Sequence, residues 1–165
     1  MFSLAQIRHH LPSRFLERMD QNYPPGAVEK ILKGFAGKSP VSLRLNTLKS
    51  NRNEFEQYLK ANKITWTTFA PLKDFYLINN KSERFWAKTD WYQTGKIYLQ
   101  GVSSAWPVYL LQPQPGEKIL DLAAAPGSKT TQLGIYMQNK GEIIANEPDP
   151  IRYQRLKFNL AKQGI

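Results

Sequence analysis

The ten residues Asp121-Leu122-Ala123-Ala124-Ala125-Pro126-Gly127-Ser128-Lys129-Thr130 join a short apolar run, Lys118-Ile119-Leu120, to a helix-compatible segment, Thr131 to Gln138. A strand, a tight loop of small residues and a helix start make the layout of a nucleotide-type cofactor site. Three alanines and one glycine leave no bulky side chain between backbone and ligand, so a flat or anionic group can lie on peptide N–H groups. The helix beginning near Ser128 aims its unpaired N–H groups and positive dipole end at the same place.

Two better-known loops are excluded by their glycines. A Walker A loop needs G-x-x-x-x-G-K-[ST], whereas Ser128 separates Gly127 from Lys129 and Leu122 holds the first glycine's place. A dinucleotide fingerprint needs three glycines, and this loop has one. The pattern that fits is the S-adenosylmethionine (SAM) loop of Rossmann-like methyltransferases, whose ligand brings a carboxylate rather than a phosphate to the helix N-terminus.

A second strand follows over Gly141-Glu142-Ile143-Ile144-Ala145-Asn146-Glu147. Glu147 stands at its C-terminal end, about 20 residues beyond the loop, the spacing of an acid that accepts from both ribose hydroxyls. Alone, Glu147 reads equally well as a solvated strand-end carboxylate; with the loop before it, the cofactor reading is favoured. Pro148 is placed to pack on the adenine face. Ile151 to Gly164 reads as a helix with Leu156, Leu160 and Tyr153 on its inner side.

The loop, together with Tyr98-Leu-Gln-Gly-Val-Ser-Ser-Ala-Trp-Pro107 and Val41-Ser-Leu-Arg-Leu-Asn-Thr-Leu-Lys49, resembles the Nop/Sun family of RNA cytosine-5 methyltransferases, the bacterial ribosomal RNA enzymes above all. The resemblance runs from about Pro40 onward. It implies that Ala123, Ala124, Ala125, Pro126, Gly127, Ser128, Lys129 and Glu147 bind SAM. It also implies an RNA partner, with ribosomal RNA favoured over transfer RNA. Gly101-Val102 departs from the family pattern, in which an acidic residue and alanine precede the two serines.

The resemblance further implies two cysteines, on loops after the fourth and fifth strands, and this chain contains none. Methylating cytosine C5 ordinarily requires a thiolate to add to C6. The sequence stops at Ile165, after the second strand and helix of the methyltransferase pattern. The expectation is therefore a cofactor half-site without its reaction half-site, the N-terminal piece of a longer enzyme, inactive by itself. Two further readings stand beside it: a non-catalytic basic RNA-binding protein derived from the same fold, and an N-methyltransferase that needs no cysteine.

Composition narrows the partners. Residues 1–116 carry 16 Lys/Arg against 8 Asp/Glu and residues 117–165 carry 7 against 5, within a net charge of +10. The positive charge lies ahead of the cofactor loop, which suggests an RNA-facing front with Arg44, Lys49 and Arg84 as contacts. No apolar run approaches the ~18 residues of a membrane span. The start, from Met1 to Arg8, lacks a leader's long apolar region. With no cysteine and only His9-His10, no metal site is expected, and the reading is cytoplasmic.

The remaining pattern places these residues. Pro12-Ser13 opens a helix with Phe15, Leu16 and Met19 on one face; Val28, Ile31, Leu32 and Phe35 mark a second, ended by Gly37. Val41 to Asn46 alternates as a strand with Val41, Leu43 and Leu45 inward and Ser42, Arg44 and Asn46 on a wet face. Ser50 is the expected N-cap of a helix over Asn51 to Ala61, and Ile64 to Phe69 and Phe75 to Ile78 are β-rich. From Arg84 to Lys96 aromatics alternate with cations, suited either to stacking unpaired bases or to burial at a domain seam. Ser103 to Leu111 reads as a helix. The expected fold class is α/β: a small N-terminal α+β domain, residues 1–95, followed over 96–165 by the first part of a Rossmann-like methyltransferase fold with an incomplete parallel sheet.

Overall fold

The computed structural model describes residues 3–37 and 39–165. Met1 and Phe2, which begin the stretch read above for a leader, lie outside the described residues, as does Lys38. The chain divides into two compact units, Met1–Ser39 and Pro40–Ile165.

The first unit holds helices α1 (Leu4–His10), α2 (Ser13–Asn22) and α3 (Pro25–Ala36). Ser3 and Gln6 form a capping box at the start of α1, which places His9 and His10 in that helix's last turn. Pro25 opens α3 at a position where no helical N–H bond is lost. Ile7, Met19, Val28 and Leu32 form the core. Phe35, expected inward, is exposed, its ring 6.3 Å from that of Phe15.

The second unit begins with β1 (Val41–Leu45), α4 (Arg52–Ala61), β2 (Trp66–Phe69), β3 (Leu72–Ile78), two short helices α5 (Glu83–Trp86) and α6 (Asp90–Gln93), and β4 (Ile97–Leu99). Its four-stranded antiparallel sheet runs β2-β3-β1-β4. Leu43, Leu45, Tyr76 and Ile78 pack from one face against Phe55 and Leu59 of α4 and against Trp86 and Trp91. The Phe55 ring meets Tyr76 edge-on at 4.9 Å and Trp91 at 4.8 Å. Trp86 and Trp91 are thus core residues of this sheet, which removes them as surfaces for stacking bases. Asn51, not Ser50, caps α4, accepting from the Glu54 N–H at 2.9 Å.

The other sheet face was expected wet and is covered. Leu72 and Phe75 pack there on Ala105 of α7 (Val102–Leu111). Strand β5 (Lys118–Asp121), helix α8 (Ser128–Tyr136), strand β6 (Glu142–Ala145) and helix α9 (Pro150–Gln163) complete the chain. β5 and β6 pair in parallel, Lys118 with Glu142 through Asp121 with Ala145. Leu120 and Ile144 are 57% and 55% exposed, so this two-stranded sheet has an uncovered apolar face. Gly95 lets α9 approach closely: a Cβ there would fall onto the Lys162 carbonyl, and its φ of +74° is left-handed.

Candidate cofactor site and its support from the antiparallel sheet

The loop between β5 and α8 is closed by its own polar groups. Thr130 Oγ1 donates to Asp121 Oδ2 at 2.7 Å, and the Gly127 N–H donates to the Ala124 carbonyl at 2.7 Å. Gly127 has φ +104°, and a Cβ there would sit 3.2 Å from Leu156 Cδ1. That conformation turns the chain into α8 with no side-chain cap. The N–H groups of Ser128, Lys129 and Thr130 consequently meet no acceptor among the described residues. Within Ala125 to Ser128, Pro126 has no N–H and that of Gly127 is already taken.

Lys129 is exposed, its Nζ 3.3 Å from Ser104 Oγ. Ala124 and Ala125 are buried against Leu156, whereas Ala123 and Pro126 face solvent.

Glu147 follows β6 beside this loop, and its side chain is only 2% exposed. One carboxylate oxygen accepts the Asp149 N–H at 3.1 Å, and the other lies 3.3 Å from Arg152 Nη2. The same Arg152 nitrogen donates to the Ala125 carbonyl at 3.1 Å. Asn146 Nδ2 donates to the Leu122 carbonyl, and Asn159 Nδ2 to that of Pro126 at 2.7 Å. Arg152, Asn146 and Asn159 were not singled out from the sequence. Their only signal was position: Asn146 directly follows β6, and Arg152 and Asn159 stand on α9 at a spacing that faces the loop. Tyr153, expected on the inner side of α9, is 42% exposed.

Arg44 of β1 and Asn46, just after that strand, bind α8 and α9 from outside. Arg44 Nη1 donates to Gln100 Oε1 at 2.6 Å and to the Ser128 carbonyl at 3.0 Å, and Nη2 to Thr131 Oγ1 at 2.9 Å. Asn46 Nδ2 donates to the carbonyls of Gly95 and Gln163, at 2.9 and 2.8 Å. Arg44 therefore holds the start of α8 and Asn46 the end of α9. Burial pulls the Arg44 guanidinium down to about 10, partly opposed by Tyr98, Tyr136 and Asp74, so it stays charged at neutral pH. Arg44 is 1% exposed and unavailable to RNA, which corrects its placement on a solvated face. Lys49 is also engaged, donating to the carbonyls of Thr94 and Lys162, while Arg84 is exposed.

Residues 11–102 match the N-terminal domain of 16S rRNA methyltransferase RsmF, and residues 108–165 match 16S rRNA methyltransferase RsmB/F. The chain belongs to the RsmB/F family. It is 40% identical over 128 residues to the tRNA (cytosine(49)-C(5))-methyltransferase of Pyrococcus abyssi, covering 75% of this chain and 40% of that protein. It is 32% identical over 167 residues to ribosomal RNA small subunit methyltransferase F of Escherichia coli, covering 98% of this chain and 35% of that protein. A methyltransferase homolog protein from Pyrococcus horikoshii superimposes with a TM-score of 0.83 at 30% identity, covering 96% of this chain and 52% of that one. This RsmB/F-family chain spans 19–40% of the length of the first curated relatives it matches. No group of three metal-ligating residues, and no helix able to cross a membrane, occurs among its described residues.

Proposed function

We propose that these residues form the RNA-facing and cofactor-binding part of a cytoplasmic, SAM-dependent RNA cytosine-5 methyltransferase. The observation that carries this reading is the loop itself: three unpaired N–H groups at the start of α8, beside a buried acid at the end of β6. That donor set fits SAM, with the carboxylate received by α8 and the ribose hydroxyls by Glu147. Ala123 to Lys129 line the loop, and Lys129 brings a cation to its rim. RNA contact is assigned to residues 1–95 and cofactor contact to 96–165.

When bound, SAM supplies an electrophilic methyl group. Cytosine C5 becomes nucleophilic enough to accept it when a thiolate bonds to C6, and that thiolate leaves again as the C5 proton is lost. The chain holds no cysteine, so these 165 residues do not supply the thiolate. Serine or threonine hydroxyls are far weaker nucleophiles at neutral pH.

Ribosomal RNA is the favoured substrate, because most of the similar enzymes are named for it and one for tRNA. The test offers labelled SAM with separate ribosomal and transfer RNA pools to the intact protein and to residues 1–165. The expected result is 5-methylcytosine in ribosomal RNA from the intact protein and none from residues 1–165. Product in tRNA alone removes the substrate assignment, and C5 product from residues 1–165 removes the chemical argument.

A further inference from the structure

We propose that Arg44 is a positioning residue for the cofactor: it fixes the first turn of α8 and places a buried positive charge, held in no direct ion pair, behind the N–H groups that receive the cofactor's carboxylate. The inference rests on the reading of this loop as a SAM site.

Three contacts lock the guanidinium in place. Nη1 is shared between Gln100 Oε1 and the Ser128 carbonyl, and Nη2 holds Thr131 Oγ1. Gln100 is itself held, donating through Nε2 to Gln132 Oε1 at 2.9 Å. The Arg44 Cζ lies 5.4 Å from the centroid of the Tyr98 ring. One donor, Nε, is buried with no partner; no carboxylate among the described residues forms a direct ion pair with this cation, and Asp74 acts on it only at longer range.

This arrangement is unfavourable for a mere tether. A cation beside a helix N-terminus opposes the helix dipole, and a buried charge without a directly paired counterion is destabilising. A neutral side chain would hold Ser128 and Thr131 at lower cost. The charge acquires a purpose once an anion lies in front of α8. The dipole and Arg44 then act on it with the same sign, through protein interior where salt screens weakly. Because Arg44 belongs to β1, the antiparallel sheet contributes to cofactor recognition without touching the cofactor.

The test compares two ligands by calorimetry on the intact protein. S-adenosylhomocysteine keeps the amino-acid carboxylate; 5′-methylthioadenosine has the same adenosine and thioether without it. Arg44→Gln is expected to weaken S-adenosylhomocysteine about tenfold or more and to leave 5′-methylthioadenosine within about twofold. Arg44→Lys, which keeps the charge but not the forked contacts, is expected to preserve the wild-type ratio between the two ligands. Equal losses for both ligands would reduce Arg44 to a structural tether and overturn the proposal, as would a collapsed ratio in Arg44→Lys. Should Arg44→Gln not fold, the Arg44→Lys ratio decides alone. Wild-type protein that binds neither ligand would instead overturn the SAM-site reading on which the proposal stands.

Discussion

Arg152 Nη2 lies 3.3 Å from Glu147 Oε2 and 3.1 Å from the Ala125 carbonyl, so a single nitrogen joins the strand-end acid to the cofactor loop. Glu147 is held in place by that nitrogen and by the Asp149 N–H, which leaves its carboxylate fixed at the mouth of the loop. An acid ordered in advance loses little entropy on accepting ribose hydroxyls. Glu147→Ala should weaken S-adenosylhomocysteine binding by roughly 10- to 150-fold, the loss of a charge-assisted contact of about 1.5–3 kcal/mol. Unchanged affinity by calorimetry would take Glu147 out of the site.

Replacing Arg152 with methionine tests the bridge rather than the acid. Its side chain is 54% exposed, so solvent weakens the ion pair and the expected loss of cofactor affinity is small, no more than about fivefold. The informative quantity is the coupling. If Arg152 acts by holding Glu147, its substitution should change affinity little in a Glu147→Ala background. Additive losses would mean that Arg152 acts on the loop through Ala125 alone.

Gly95, just before β4, lies against the end of α9. A methyl group there meets the Lys162 carbonyl, and no low-energy backbone adjustment exists at a left-handed φ. Gly95→Ala should cost about 1–3 kcal/mol, lowering the melting temperature by roughly 2–12 °C. A melting curve superimposable on wild type would show that the contact between α9 and the sheet yields freely.

Electrostatic RNA binding by residues 1–95 remains the expectation; of the three contacts named from sequence Lys49 and Arg84 are exposed, and Lys49 is committed to two backbone carbonyls. Log affinity should fall linearly with log salt, by ~0.7 for each phosphate contact on a single strand. Arg84→Ala should lower that slope by about one contact, whereas Lys49→Ala should leave it unchanged, because Lys49 is spent on two backbone carbonyls. A slope that does not respond to Arg84 would move the RNA surface elsewhere.

What the sequence determined by itself is local and periodic. The strand–loop–helix at Lys118–Tyr136 was legible because small residues, one glycine and a helix start occur at fixed short spacing. α3 and α4 were legible from apolar periodicity, and the second strand and its acid from distance along the chain. The chemistry that requires cysteine was legible as missing, from composition alone.

Only the tertiary structure decided which polar residues are buried. Alternation along β1 puts Ser42, Arg44 and Asn46 on one face, and alternation cannot say whether that face meets water or another element. Here α7 and α8 cover it, turning two expected surface residues into the anchors of α8 and α9. The strand β4 was hidden for the same reason. Three residues carry almost no periodic signal, and β4 is defined by its pairing with Leu43–Leu45, about 50 residues upstream. The aromatic run from Phe85 to Trp91 fits either a base-stacking surface or a core by composition. The packing of Trp86 and Trp91 on Phe55 and Tyr58 makes it a core, because apolar area leaves water wherever a matching face is present.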